Sequence, residues 1–194
     1  AALARFQGEQ LDLSGLTSLG AAAAAALTPY QGKLDLSGLT SLTPEVAAAL
    51  AKCRNWNGRL PEVETLTPEV ATALAARGAK SLALSGLTSL TPATAAALAP
   101  HEGFLDLSGL TSLSSATAAA LAPRQGRFGL AGLVSLSPEI ATALAKCQGW
   151  DGSLPNLETL TPEAAVVLVT SQATELNLSG LSSLAPEVAA ALVK

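Results

Sequence analysis

Leucines recur along this chain in the frame LxLxxLxxL, most plainly as LDLSGLTSL, which begins at Leu11, Leu34 and Leu105. Variants begin at Leu82 (LALSGLTSL), Phe128 (FGLAGLVSL) and Leu176 (LNLSGLSSL). The alternation in LDL is that of a short strand with its leucines turned inward. A helix signal follows in the same unit. Thr43 stands at the N-cap, Pro44 at the first helical position, where its missing N–H is not needed, and Glu45 in the first turn, where the helix dipole favours an anion. VAAALAK then carries Val46 and Leu50 on one face. The same TPE, SPE or APE start recurs at Thr67, Ser137, Thr161 and Ala185, and loops such as Gln31–Gly32 and Glu102–Gly103 end the units.

Two stretches break the wording: KCRNWNGRLPEVETLTPE at 52–69 and KCQGWDGSLPNLETLTPE at 146–163. Aligned on LTPE, their units begin at Gly58 and Gly152, so unit starts fall at 11, 34, 58, 82, 105, 128, 152 and 176, with steps of 23 or 24 residues. Leu11 and Leu105, Cys53 and Cys147, and Trp56 and Trp150 are each 94 residues apart, so a four-unit block is followed by nearly all of a second copy. Residues 1–10 read as the tail of a preceding unit, because AALARFQGEQ matches AALAPRQGR at 119–127. One strand and one helix in so few residues cannot close a core alone, so each unit must stack on its neighbours. The expected fold is an α/β solenoid: residues 1–194 as one domain of about eight repeats, with short parallel strands on one face and short α-helices on the other.

This frame, with a helix every 23 or 24 residues, resembles the leucine-rich repeat family, and LSGLTSLTPEVAAALAK is similar to its alanine-rich bacterial members. The resemblance covers the whole chain and implies a curved solenoid whose strand face binds other proteins. One departure stands out. Where the family places an asparagine after the strand, this chain has Leu16, Leu39, Leu87, Leu110, Leu133 and Leu181, so the asparagine ladder is missing. A row of hydroxyls, Ser18, Ser41, Thr65, Ser89, Ser112, Ser135, Thr159 and Ser183, is the expected substitute, satisfying turn backbone groups that stacking would leave unpaired.

Composition narrows the function. Only 13% of the 194 residues are charged, 3% are aromatic, 49% are hydrophobic, and the net charge is −4. Scattered Lys and Arg form no basic stripe, which argues against nucleic acid. No apolar run reaches the roughly 18–20 residues needed to span a bilayer. Cys53 and Cys147, four units apart at about 4.8 Å per strand, cannot bridge; unpaired thiols filling small apolar places at helix ends lean towards a reducing, cytoplasmic setting but leave the compartment open. The chain opens without Met and ends inside a helical pattern, which fits either a fragment of a longer array or ends that stack on other copies.

The chemistry is sparse. His101 is the one histidine, so neither a serine–histidine pair nor a two-histidine metal site can be assembled, and in the loop PHEG it reads as solvated. No catalytic residue, cofactor or metal is expected, and no enzyme. The outward strand positions read Asp12, Asp35, Arg59, Ala83, Asp106, Gly129, Ser153, Asn177, a row that could grip a polar partner or a hard cation such as calcium, or simply keep the sheet solvated. In the two odd units Pro61 and Pro155 each remove a ladder donor, so those strands should be short or distorted. Trp56 and Trp150 either cover the gap of the missing leucine or bind a partner. On the second reading Trp56 with Arg54 and Arg59, and Trp150 with Asp151, join Asp12, Asp35 and Asp106 as the candidate partner-binding residues.

The expected function is a non-enzymatic protein–protein interaction module or scaffold. The alternative is a self-assembling array, because alanine runs such as Ala21 to Ala26 let helices approach closely. A remote one is ice or surface binding through Thr17, Thr40, Thr88 and Thr111, a row broken at Glu64, Val134 and Glu158.

Overall fold

A computed structural model describes residues 7–78 and 80–193; the AALARF part of the expected opening helix tail lies outside them. Among the described residues, five short strands, β1 (Gln10–Asp12), β2 (Lys33–Asp35), β3 (Leu82–Ala83), β4 (Leu105–Asp106) and β5 (Phe128–Gly129), are interleaved with helices. These are α1 (Ala21–Leu27), α2 (Pro44–Lys52), α3 (Pro68–Ala75), α4 (Pro92–Leu98), α5 (Ser115–Leu121), α6 (Pro138–Ala145), α7 (Pro162–Leu168) and α8 (Pro186–Leu192). Every strand pairing is parallel and one unit long in register: Leu11 beside Leu34, and Leu82 beside Leu105 beside Phe128. Single bridges continue the ladder through the odd units, Leu34 to Trp56, Arg59 to Ala83, Phe128 to Trp150 and Ser153 to Asn177. Each helix packs on the next in chain order. The result is a repeat α/β fold, and no described helix is long and apolar enough to cross a membrane.

The core lies between strands and helices, where the repeat pattern puts it. Leu36, Leu39, Leu84, Leu87, Leu107, Leu110, Leu130 and Leu133 are wholly buried, facing helix leucines such as Leu50, Leu74, Leu98 and Leu121. The helices begin as their sequences direct. The side-chain oxygens of Thr43, Thr67, Thr91, Ser114, Ser137 and Thr161 each accept the backbone N–H three residues on, at 3.0–3.4 Å. Ala185 has no oxygen to offer, and α8 starts without a side-chain cap.

The glycine of LSGL explains how closely the units stack. A Cβ at Gly109 would strike the carbonyl oxygen of Ser85 in the preceding unit, and Gly38, Gly86, Gly132 and Gly180 meet Ser14, Pro61, Ser108 and Pro155 in the same way. Gly15, in the same motif, has nothing within 4 Å. Gly109→Ala is therefore expected to cost about 1–3 kcal/mol through overpacking against a backbone that cannot yield. Gly15→Ala should stay within about 0.5 kcal/mol. Chemical denaturation of the two variants separates a stacking contact from a generic loss of loop freedom.

The turn bonds between units differ from expectation. Ser18, Ser41, Thr65, Ser89, Ser112, Ser135, Thr159 and Ser183 are all exposed, and no hydrogen bond from these hydroxyls occurs among the described residues. The bonding sits one residue earlier and uses the backbone: the amides of Thr40, Thr88, Val134 and Glu158 donate to the carbonyls of Thr17, Glu64, Thr111 and Val134 at 3.0–3.1 Å. The main-chain bond forms equally at Val134 and Glu158, and the hydroxyls that cross between units belong to other positions: Thr40 and Thr88 add theirs to the same carbonyls, and buried Thr94 and Thr117 donate to Leu66 and Leu90 at 3.2 and 3.1 Å.

Candidate functional site

The acidic side chains at the strand ends have a local task. Asp12, Asp35 and Asp106 each accept the backbone N–H two residues on, from Ser14, Ser37 and Ser108, all at 2.9 Å, and Asn177 does the same for Ser179 at 3.1 Å. This is an Asx turn, which fixes the chain as it leaves the strand. At Asp12 the Ser14 hydroxyl and then its amide hold the carboxyl below its usual range. In the odd units the task falls to Asn57 and Asp151, which accept from Arg59 and Ser153 at 3.1 and 3.0 Å. The outward row assigned from sequence through Arg59 and Ser153 is thus served there by the residue two positions earlier. No three His, Cys, Asp or Glu side chains among the described residues gather in a way that could hold a metal.

That shift follows from where the tryptophans go. Trp56 pairs with Leu34 and Trp150 with Phe128, so each indole, not Gly58 or Gly152, takes the place of the first strand leucine. Both rings are buried, at 2% and 3% exposure, and are unavailable to a partner. The chain then re-enters the ladder at Arg59 or Ser153, and the two intervening residues bulge. Gly58 and Gly152 sit in that bulge at φ +72° and +77°, a conformation side chains resist. Arg54 and Arg59 remain exposed.

A second buried row runs just past the helix ends, where the sequence pattern places its two cysteines but not its other members. Tyr30, Cys53, Arg77, His101, Arg124 and Cys147 each lie three residues beyond a helix leucine, and each amide donates to that leucine's carbonyl. All are buried. The long members reach back to the loop of the preceding unit: the Tyr30 hydroxyl donates to the Gly8 carbonyl at 2.8 Å, Arg77 Nη2 to Trp56, and Arg124 Nη2 to Gly103. Arg124 Nη1 also donates to the Leu98 carbonyl at 3.0 Å. Loop carbonyls that stacking removes from water are satisfied by these guanidinium groups. The thiols instead donate to their own helices, at Ala49 and Ala143, and burial pushes Cys147 up to about 11, leaving it protonated and unreactive at neutral pH.

His101 is wholly buried, not solvated. The carbonyls of Ala75 and Lys80 approach its ring, but neither ring nitrogen makes a hydrogen bond of good geometry. Burial, followed by the positive charge of Arg124, lowers its pKa to about 4. The ring is therefore neutral near pH 7.

The most distinctive open surface surrounds β4, β5 and the Trp150 segment. Phe104 leaves 41% of its surface exposed beside the Gly129 gap, and a Cβ at Gly129 would lie 3.6 Å from the Phe104 ring and 2.9 Å from Asp151 Oδ2. Asp151 is half-buried; burial raises its pKa, opposed by the Ser153 amide and the charge of exposed Arg127. Next to it is a cavity of about 290 Å³ lined by Arg127, Gln148, Trp150, Asp151, Gln172 and Thr174, among others. Phe104 and Arg127 precede the inward leucine or phenylalanine of their units by one position, so a register built on the LDL aspartates passes over them.

No family model and no curated protein matches this chain. Among solved structures it is similar to a leucine-rich-repeat protein of Leptospira interrogans, at 16% identity over 97% of this chain and 76% of that one, with a TM-score of 0.33.

Proposed function

We propose that the chain is a non-enzymatic protein-binding module, a solenoid of leucine-rich-repeat-like design that offers its strand face to a partner. The observation that carries this reading is the patch at Phe104: an exposed aromatic ring, the cation of Arg127 and the carboxylate of Asp151 grouped around the backbone of Gly129. Binding energy concentrates in aromatic and arginine side chains set near smaller groups, and this face holds both. Of the Asx-turn aspartates, which keep one carboxylate oxygen engaged within the chain, Asp106 is the one close enough to act on Asp151 and so adjoins that patch.

Selection of binders from a displayed peptide library, with the intact chain as bait, tests the reading. Binders should lose at least about tenfold in affinity for Phe104→Ala or Arg127→Ala and keep it for Ser89→Ala on the exposed turn row. Binders indifferent to both Phe104 and Arg127 would remove the strand face as the docking surface.

Self-association is the second reading, favoured by Val166 and Val169 on and just after α7, exposed at 50% and 39%. Sedimentation that gives a monomer at high protein concentration would eliminate it.

A further inference from the structure

The two copies of the tryptophan segment are related by 94 residues, and they differ in what fills the space beside the indole. In the first copy the chain fills it with its own cations. The Arg77 guanidinium lies 4.5 Å from the centre of the Trp56 ring and donates to the Trp56 carbonyl, while the Lys80 ammonium reaches the Arg54 carbonyl. In the second copy Arg77 is replaced by Ser171, Lys80 by Thr174 and Arg54 by Gln148, and neutral Asn57 is replaced by Asp151. Three positive charges are gone and one negative charge is gained; the remaining cation, Arg127, has its counterpart in Lys33.

The second loop closes only part of the vacated space. Ala173 packs its methyl against Gly152, where the Arg77 guanidinium packs against Gly58 in the first copy. The rest is the cavity of about 290 Å³ beside Asp151. Asp151 Oδ1 is engaged by the Ser153 amide, while Oδ2 lies over Gly129, where the absence of a side chain leaves it room. The carbonyl of Gln148 corresponds to that of Arg54, which in the first copy accepts an ammonium.

We propose that this cavity receives the guanidinium of an arginine side chain from a bound protein partner, standing in for the cations that the first copy supplies from within. The inference rests on the reading of the chain as a partner-binding module and names the chemistry of one contact. A planar guanidinium, with several N–H donors and no acceptor, suits a cavity whose lining includes the carboxylate of Asp151 and the backbone of Gln148. Trp150 carries an indole N–H that makes no hydrogen bond among the described residues and so reports locally on occupancy.

Nα-acetyl-arginine amide is the probe, and its neutral isostere Nα-acetyl-citrulline amide is the control. Titration of the intact chain, followed by NMR at the two indole N–H signals, should shift Trp150 with the arginine probe while leaving Trp56 in place. Citrulline, Asp151→Asn and Ser171→Arg, the last refilling the cavity from within, should each weaken that response by roughly tenfold or more. Thermal melts of both variants verify that they fold, and if Ser171→Arg does not, Thr174→Lys, which restores the ammonium, takes its place. No shift at Trp150 with millimolar probe, an equal response to citrulline, or full binding by the refilled variant would each overturn the proposal. Because the probe is a small molecule, its failure leaves the peptide selection and the role of Phe104 standing.

Discussion

Replacing Trp56 by alanine is expected to destabilise the chain by about 3–5 kcal/mol, the range for removing a large aromatic side chain from a packed core. The indole is 2% exposed, holds the strand position beside Leu34, and forms the floor on which the Arg77 guanidinium lies. Truncation opens a cavity and leaves that buried cation without its aromatic face. Trp150→Ala should fall in the same range. Arg54→Ala, next to the same bulge but exposed, should stay within about 0.5 kcal/mol. Urea unfolding followed by circular dichroism makes the comparison; a loss as small as that of Arg54→Ala would put the indole on the surface.

Acid should weaken the fold through His101. Its folded pKa of about 4 lies below the ordinary value near 6.5, so between those limits the unfolded chain binds a proton that the folded chain refuses. Stability is then fully present above about pH 6.5, falls as the pH drops towards 4, and loses no more from this group below that. At 1.36 kcal/mol per unit the whole loss is roughly 3 kcal/mol. Asp151 opposes it slightly, because a raised carboxyl pKa stabilises the fold as the pH falls through it. His101→Leu isolates the effect: the variant's pH profile should be flatter than that of the parent between pH 6.5 and 4. Profiles that run parallel would mean that the ring is charged, or reaches water, in the folded state.

Much of the fold was legible because one unit carries its own instructions. The inward leucines, the threonine and proline at helix starts and the loop glycines act within about 24 residues, so the pattern of Leu34 to Leu50 already describes strand, turn and helix. What escaped depends on the neighbouring unit. His101 reads as solvated in its polar loop, yet stacking covers it along with Arg77 and Arg124 and turns the two arginines into donors for the previous loop's carbonyls. The hydroxyl row misled because the inter-unit bonds are made elsewhere, by main chain one residue earlier and by the hydroxyls of Thr40, Thr88, Thr94 and Thr117. Alignment on LTPE placed Gly58 at the strand leucine, whereas hydrogen-bond register gives that place to Trp56 and leaves the glycine in a bulge.

The candidate site was legible only in part. Asp151 belongs to the open face, and Asp12, Asp35 and Asp106 lie at the strand ends, but as acceptors for their own turns. Phe104 and Arg127 were passed over because their prominence comes from the gap at Gly129, a property of three adjacent units together. The cavity beside Trp150 emerges only when the two copies are compared position by position, since it is made by residues that became smaller.

The tryptophan segments are interior joints of the stack, with each indole in a strand position of the ladder. Acrylamide quenching of the intrinsic fluorescence measures this most directly, because the chain has just two tryptophans and both are buried. Blue-shifted emission that acrylamide quenches many-fold more slowly than free indole, becoming fully accessible only on unfolding, is the expected result. Emission and quenching close to those of a free tryptophan in the folded chain would contradict it.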